Sequence, residues 1–294
     1  MSFKSGFVSV IGRPNVGKST LINELIGEKT VIVSKKPQTT RNQLKAIYTD
    51  DKGQIIFMDT PGVHKAKNEL DKYMLDQAFQ SLKGIDVVLF MVDANSPFGK
   101  GDKFILNQIY EIDIPVLVVM NKIDKINNKL LIKRQKNYEK NTDLEVIPIS
   151  AKSGKNVDNL FNNVFSLLPE GPQYYPEEMF TDQIEKFIVS ELVREQIFKY
   201  TREEIPYGAA VLVEEMKERD NGMIFVRANV IVEKKSHKGI VIGKNGKRLK
   251  KIGSESRKTI EKLLNSKVYL DLWVKVKKDW REDKNLLRQM GYKD

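Results

Sequence analysis

At 294 residues, 40% of them hydrophobic, the chain is too long for one typical core and fits two domains of ordinary size. Fifty Lys+Arg against 39 Asp+Glu leave a net charge of +11, and the absence of cysteine excludes disulfides and thiolate metal sites. No stretch is apolar enough to span a membrane, and Met1-Ser2-Phe3-Lys4 is not followed by a signal-peptide core, so a cytoplasmic protein is expected.

From Phe7 to Leu168, short β-rich apolar runs alternate with helix-period segments. The runs are residues 7–11, 44–48, 55–58, 87–92, 116–120 and 146–149. Continuous apolar strands between helices predict an α/β domain whose sheet is mostly parallel and covered on both faces. Residues 44–48 alternate instead, as an edge strand does. The segment 68–83 reads as a helix. Pro169, Gly171, Pro172 and Pro176 break both periods, which puts a G-type domain at 1–168, a linker at 169–181 and a second domain at 182–294. In the second domain, Ile184, Phe187, Ile188, Leu192, Ile197 and Phe198 recur near helical spacing. Two β-like runs at 209–214 and 224–232, a Gly-rich turn, two short helices and a strand at 268–276 follow. The order is α-β-β-α-α-β, an α+β domain smaller than the first.

Gly12-Arg13-Pro14-Asn15-Val16-Gly17-Lys18-Ser19 has the phosphate-loop pattern, between a strand and a helix. Its backbone N–H groups and the helix N-terminus suit phosphate oxygens, Lys18 suits the β- and γ-phosphates, and the Ser19 hydroxyl suits Mg²⁺. Asp59-Thr60-Pro61-Gly62 closes the next strand but one: Asp59 would hold Mg²⁺ through water, and the Gly62 N–H would meet the γ-phosphate. Asn121-Lys122-Ile123-Asp124 selects the base. The Asp124 carboxylate can accept from guanine N1–H and N2–H₂ together, a donor pair that adenine lacks. Asn121 would position base and loop, and the Lys122 stem would cover the ring. Ser150-Ala151-Lys152 follows the next strand, with the Ala151 N–H set to donate to guanine O6. Together these choose GTP and GDP over adenine nucleotides, and they exclude a P-loop kinase.

On these motifs, residues 7–168 resemble a translation-factor-class GTPase domain, and Gly12 to Thr20 is similar to the form shared by bacterial ribosome-assembly and tRNA-modification GTPases. Gln38-Thr39-Thr40-Arg41 resembles their first switch, which implies a second Mg²⁺ hydroxyl from Thr40 or Thr39. Many related switches carry glutamine where this chain has Val63, which cannot orient water, so intrinsic turnover should be slow. The resemblance further implies that Asn15 coordinates K⁺ where an arginine finger would sit. His64 is a second candidate for positioning water, and Arg13 and Arg41 are candidate internal fingers.

Gly243-Lys244-Asn245-Gly246 has the Gly-x-x-Gly form with which KH domains clamp a nucleic-acid backbone. Ile240, Val241 and Ile242 would supply an apolar groove wall. His237, Gly239, Lys247, Arg248 and Lys250 complete the candidate RNA site, within a cluster that includes Arg227, Lys234, Lys235, Lys238, Lys251, Arg257 and Lys258. The element order is that of the bacterial, type II KH fold. The whole chain therefore resembles bacterial ribosome-assembly GTPases with one G domain and one C-terminal KH domain. That resemblance implies binding at the 3′ end of 16S small-subunit ribosomal RNA, a role in 30S subunit assembly, a monomer, and peripheral association with the membrane. Two other readings stand beside it: an RNA-binding scaffold with incidental hydrolysis, and a KH-like domain turned to protein docking.

Overall fold

The computed structural model describes residues 2–27 and 40–292. Their contacts separate two compact units, one within Met1–Lys67 and Asp71–Asp182, the other within Asn68–Leu70 and Gln183–Asp294.

The first unit is a six-stranded sheet in the order β2-β3-β1-β4-β5-β6. It is built from β1 (Lys4–Gly12), β2 (Leu44–Asp50), β3 (Gly53–Asp59), β4 (Val87–Asp93), β5 (Val116–Asn121) and β6 (Val146–Pro148). Only the edge strand β2 runs antiparallel to its neighbour, with Leu44 opposite Asp59 and Asp50 opposite Gly53. Strand β3 is buried along its whole length and β4 along all but its last residue, as continuous apolar runs between helices require. The helices are α1 (Lys18–Ile26), α2 (Glu69–Gln80), α3 (Lys100–Ile109), α4 (Asn128–Thr142) and α5 (Val157–Leu167). Ile11, Val88, Phe90, Val92, Val118 and Met120 pack with Ala78, Ile105, Leu106, Ile109 and Tyr138, so one core joins the sheet to α2, α3 and α4. Strand β1 lies between β3 and β4, where the chain order of the sheet reverses. The carboxyl ends of β1, β3 and β5 carry the three nucleotide motifs to that crevice.

The proline-rich stretch after α5 lies along this unit. Ser5 N–H donates to the Pro169 carbonyl at 3.1 Å, and Gly171 N–H donates to that of Phe3 at 3.2 Å. Gln54 Oε1 accepts from the Tyr174 and Tyr175 N–H groups at 2.8 and 2.9 Å. Thr181 Oγ1 donates to the Lys45 carbonyl at 2.7 Å, and Lys45 pairs with Asp182 at 2.8 Å. Prolines deny the stretch a helical period, yet strand-edge groups and side chains satisfy its extended backbone.

The second unit contains α6 (Glu185–Tyr200), β7 (Ala210–Glu218), β8 (Ile224–Val232), α7 (Lys235–Ile242), α8 (Lys247–Leu264), β9 (Val268–Val276) and α9 (Lys284–Gln289). Its sheet has the order β7-β8-β9, antiparallel then parallel. The α-β-β-α-α-β order is the one expected. Two details differ: α7 precedes the Gly-rich turn, and α8 is an 18-residue helix rather than a short one. Its buried stripe of Ile252, Ser256 and Ile260 recurs every four residues and joins α8 to Val189, Val193, Val226, Val230 and Val241 in the core.

Candidate nucleotide site and nucleic-acid groove

The phosphate loop is a backbone feature made possible by Gly17, whose φ is +108°. A Cβ there would stand 2.2 Å from Asn121 Nδ2, so no larger residue fits. The loop is tied to the base-recognition strand from both sides. Asn121 Nδ2 donates to the Val16 carbonyl at 2.8 Å, and Lys122 Nζ donates to the Asn15 carbonyl and, at 2.7 Å, to Asp93. Burial opposes ionisation of Asp93, but the Lys122 ammonium and the Asn95 donors outweigh it and hold the carboxyl below its usual range. Asn15 takes a left-handed φ of +63°, uncommon for a non-glycine residue. Val16 is 2% exposed, so it serves the site through its backbone and the core through its side chain.

Lys18 is buried, and its Nζ lies 3.4 Å from the carbonyls of Gly12 and Arg13. Burial pulls it down to about 8, against the opposing pull of Asp59. Phosphate oxygens would restore its charge, because they replace the lost water with anionic partners. Ser19 Oγ donates to Asp59 Oδ2 at 2.8 Å, Thr40 Oγ1 donates to the same oxygen at 3.1 Å, and the two hydroxyls lie 3.1 Å apart. The other carboxylate oxygen, Asp59 Oδ1, is buried without a hydrogen-bond partner among the described residues. Burial raises the Asp59 pKa despite Lys18 and both hydroxyls. Two hydroxyls and one under-satisfied carboxylate around one point suit Mg²⁺, which takes few protein oxygens and completes its shell with phosphate and water. Gln38 and Thr39 lie outside the described residues, and Thr40 is the threonine seen in this cluster.

Several expected contacts take another form. The Thr60 hydroxyl is buried and donates to the Val10 carbonyl at 2.7 Å, so it braces β1 rather than facing phosphate. The Ala151 N–H, expected on guanine O6, donates to Asn121 Oδ1 at 2.9 Å, because Asn121 is turned to span Val16 and Ala151. Ser150 Oγ donates to Asp124 Oδ1 at 2.7 Å and fixes the exposed base-selecting carboxylate, a role not read from the sequence. Lys152 is exposed and Pro61 buried. Val63 is 4% exposed in the core, its N–H donating to the Gly12 carbonyl at 3.0 Å. His64 turns to Asp71 at 3.3 Å and to the Gly62 carbonyl at 2.9 Å, an arrangement that holds the loop rather than a water. Arg13, a candidate finger, pairs instead with Asp102 at 2.9 Å, and Arg41 is 1% exposed.

In the second unit, Gly243 has φ 73° and ψ 173°, a backbone region essentially reserved for glycine. Lys244 and Asn245 stand exposed on the turn, and Arg248 Nη1 donates back to the Ile240 carbonyl, tying α8 to the end of α7. A groove of about 510 Å³ runs beside it between α8 and the edge strand β9. Leu249, Lys250, Gly253 and Arg257 line one wall at helical spacing, and Tyr269, Leu270 and Leu272 line the other. Ile240 is exposed and Ile242 half-buried, but Val241 points into the core, so α7 supplies less of a wall than expected. His237, a candidate RNA residue, is 3% exposed on the inner side of α7, its Nε2 3.4 Å from Glu204. Arg227 pairs with Asp271 and Glu215, and Lys251 and Lys258 pair with Glu255. The groove-facing cations are therefore Lys250 and Arg257, with Lys244 and Lys247 exposed at its Gly-rich end.

Comparison with known proteins gives concordant matches. Residues 7–122 match the family described as 50S ribosome-binding GTPase, and residues 204–281 match the KH domain. The chain is 64% identical over 293 residues to a GTPase Era of Halothermothrix orenii, covering 100% of both. It is 54% identical to a GTPase Era of Alkaliphilus oremlandii, covering 99% of this chain and 100% of the relative. Among solved structures it is similar to Era in complex with MgGDPNP and nucleotides 1506–1542 of 16S ribosomal RNA, with a TM-score of 0.96, 41% identity and 99% of each chain covered. A variant of Aquifex aeolicus Era bound to GDP.AlF4- gives a TM-score of 0.95 at 41% identity, again with 99% coverage of each chain.

Proposed function

The chain belongs to the GTPase Era family, and from that premise we propose that it is a GTP-hydrolysing switch that binds the 3′ region of 16S ribosomal RNA and assists 30S subunit assembly. The observation that carries the reading is the pairing of two built sites in one chain. In one, Lys18, Ser19, Thr40 and Asp59 converge at a phosphate loop. In the other, a cationic groove opens beside a Gly-x-x-Gly turn. A relative of nearly the same length has been solved with Mg²⁺, a GTP analogue and 16S nucleotides together.

In this reading the loop from Gly12 to Thr20 wraps the phosphates, Lys18 balances the β- and γ-oxygens, and the exposed Asp124 accepts both guanine donors. Ser19, Thr40 and Asp59 would hold Mg²⁺, which when bound offsets charge building on the leaving phosphate. With Val63 in the core and His64 held by Asp71, no side chain of this loop orients the attacking water. Turnover should be slow for that reason, and Asn15 would hold K⁺, which would supply charge compensation on the phosphate. Replacing K⁺ by Na⁺ at fixed ionic strength should lower kcat for GTP, and equal rates in both salts would remove K⁺ from the account.

The groove accepts a few unpaired nucleotides: Lys244, Lys247 and Lys250 meet phosphates while Leu249, Leu270 and Leu272 pack against bases. Lys244→Asp/Asn245→Asp should weaken binding of a 16S 3′-end oligonucleotide by about tenfold or more while leaving GTP affinity unchanged. Loss of GTP binding instead, with RNA binding intact, would refute this division of labour. A monomer in the cytoplasm, with peripheral contact to the membrane, completes the proposal. The last of these rests on resemblance alone, and no helix among the described residues is long and apolar enough to cross a bilayer.

A further inference from the structure

Arg13 lies at the tip of the phosphate loop, and its guanidinium points away from the phosphate side. Its Nε stands 2.9 Å from Asp102 Oδ1 on the first turn of α3, and Asp102 is 1% exposed. The other Asp102 oxygen accepts the Gly99 N–H at 3.0 Å, so the carboxylate is fixed by its own helix cap. Burial raises the Asp102 pKa and the Arg13 charge opposes that rise. Arg13 passes so close to α3 that a Cβ on Gly101 would stand 2.9 Å from its Cδ. A buried carboxylate with one dedicated cation is costly to build and costly to break, and no phosphate chemistry uses it.

We propose that Asp102 is a positioning residue for GTP hydrolysis: it clamps Arg13 to α3 and so holds the loop residues 13–15 in the geometry the reaction needs. The loop is fastened at two other points, Asn15 O to Lys122 and Val16 O to Asn121. Arg13 is the anchor on the far side of Asn15, whose left-handed backbone persists only where its surroundings over-determine it. Without the clamp the ends of the loop stay fixed while its tip relaxes. Binding, carried by Lys18 and the base contacts, survives, whereas the alignment of reacting groups does not. This rests on the reading that residues 12–20 hold the phosphates. Arg13, held in this way, is not a charge-stabilising finger.

The test is a double-mutant cycle on steady-state GTP hydrolysis with the full chain. Asp102→Asn keeps an acceptor for Gly99 but loses the ion pair, and Arg13→Gln loses the cation. Each single variant should lower kcat about tenfold with KM and GDP affinity within about twofold, and the double variant should lose no more than either. Equal kcat in wild type and Asp102→Asn overturns the proposal while leaving the GTPase reading intact. So does an Arg13→Gln loss far exceeding that of Asp102→Asn, which would make Arg13 the finger. A fall in melting temperature and in GDP affinity with kcat unchanged would reduce the clamp to a structural ion pair. Absence of hydrolysis in the wild type would refute the underlying reading instead.

Discussion

Asp124, the residue proposed to read guanine, is held in advance by a neighbour. Ser150 Oγ occupies one oxygen at 2.7 Å, which orients the carboxylate before a base arrives. A charged hydrogen bond contributes about 1.5–3 kcal/mol, so losing one of the two guanine contacts costs roughly tenfold to a hundredfold in affinity. Asp124→Asn should lower GTP affinity by that order and favour xanthosine triphosphate, whose O2 acceptor replaces the amino donor. Unchanged GTP affinity in a competition titration would show that Asp124 does not read the base. At this scale the motifs were legible, because phosphate and base chemistry admit few residue types at fixed spacing. What stayed hidden were orientations: Thr60, Ala151 and His237 belong to motif segments, yet tertiary partners 30 or more residues distant turn each of them elsewhere.

The elements next to Gly62 are held together by a clasp of side chains. His64, two residues on, reaches Asp71 in α2, and Asp71 Oδ2 also accepts the Lys67 N–H at 3.0 Å. Tyr73 on the same helix donates to Asn42 at 2.9 Å, so the segment after Thr40 and the segment after Gly62 both meet α2. The Asp71 hydrogen bond, against burial and with help from the Gly62 carbonyl, raises the His64 pKa above its ordinary value of 6.5. Because the folded value is the higher, the clasp contributes in full below the unfolded pKa near 6.5 and is lost as pH rises through the folded one. Only two histidines exist in the chain, so both resonances are resolvable in an NMR titration. The His64 midpoint should lie above 6.5 and drop in Asp71→Asn, whereas a midpoint at or below 6.5 in the wild type would dissolve the clasp. Helical period revealed α2 but not this clasp, since both partners also read as ordinary surface residues. The groove between α8 and β9 escaped the sequence for a related reason. Leu249 and Leu270 are 21 positions apart, and only packing brings their walls together.

For the whole molecule, the strand–helix alternation and the α-β-β-α-α-β order were readable because core burial imposes them on composition. The stretch 169–182 was not. Its prolines announce a break in period, but its hydrogen bonds to Gln54, Lys45 and Ser5 depend on a sheet edge no local pattern describes. With both sites on one chain, RNA binding is expected to depend on the state of the bound nucleotide. The most direct test is fluorescence anisotropy of a labelled oligonucleotide from the 3′ end of 16S ribosomal RNA, titrated with protein loaded in Mg²⁺ with a non-hydrolysable GTP analogue or with GDP. The account predicts clearly tighter binding with the analogue, and in both states an affinity that falls with salt by a log–log slope of about −0.7 per phosphate neutralised. Equal affinity in the two nucleotide states would contradict it.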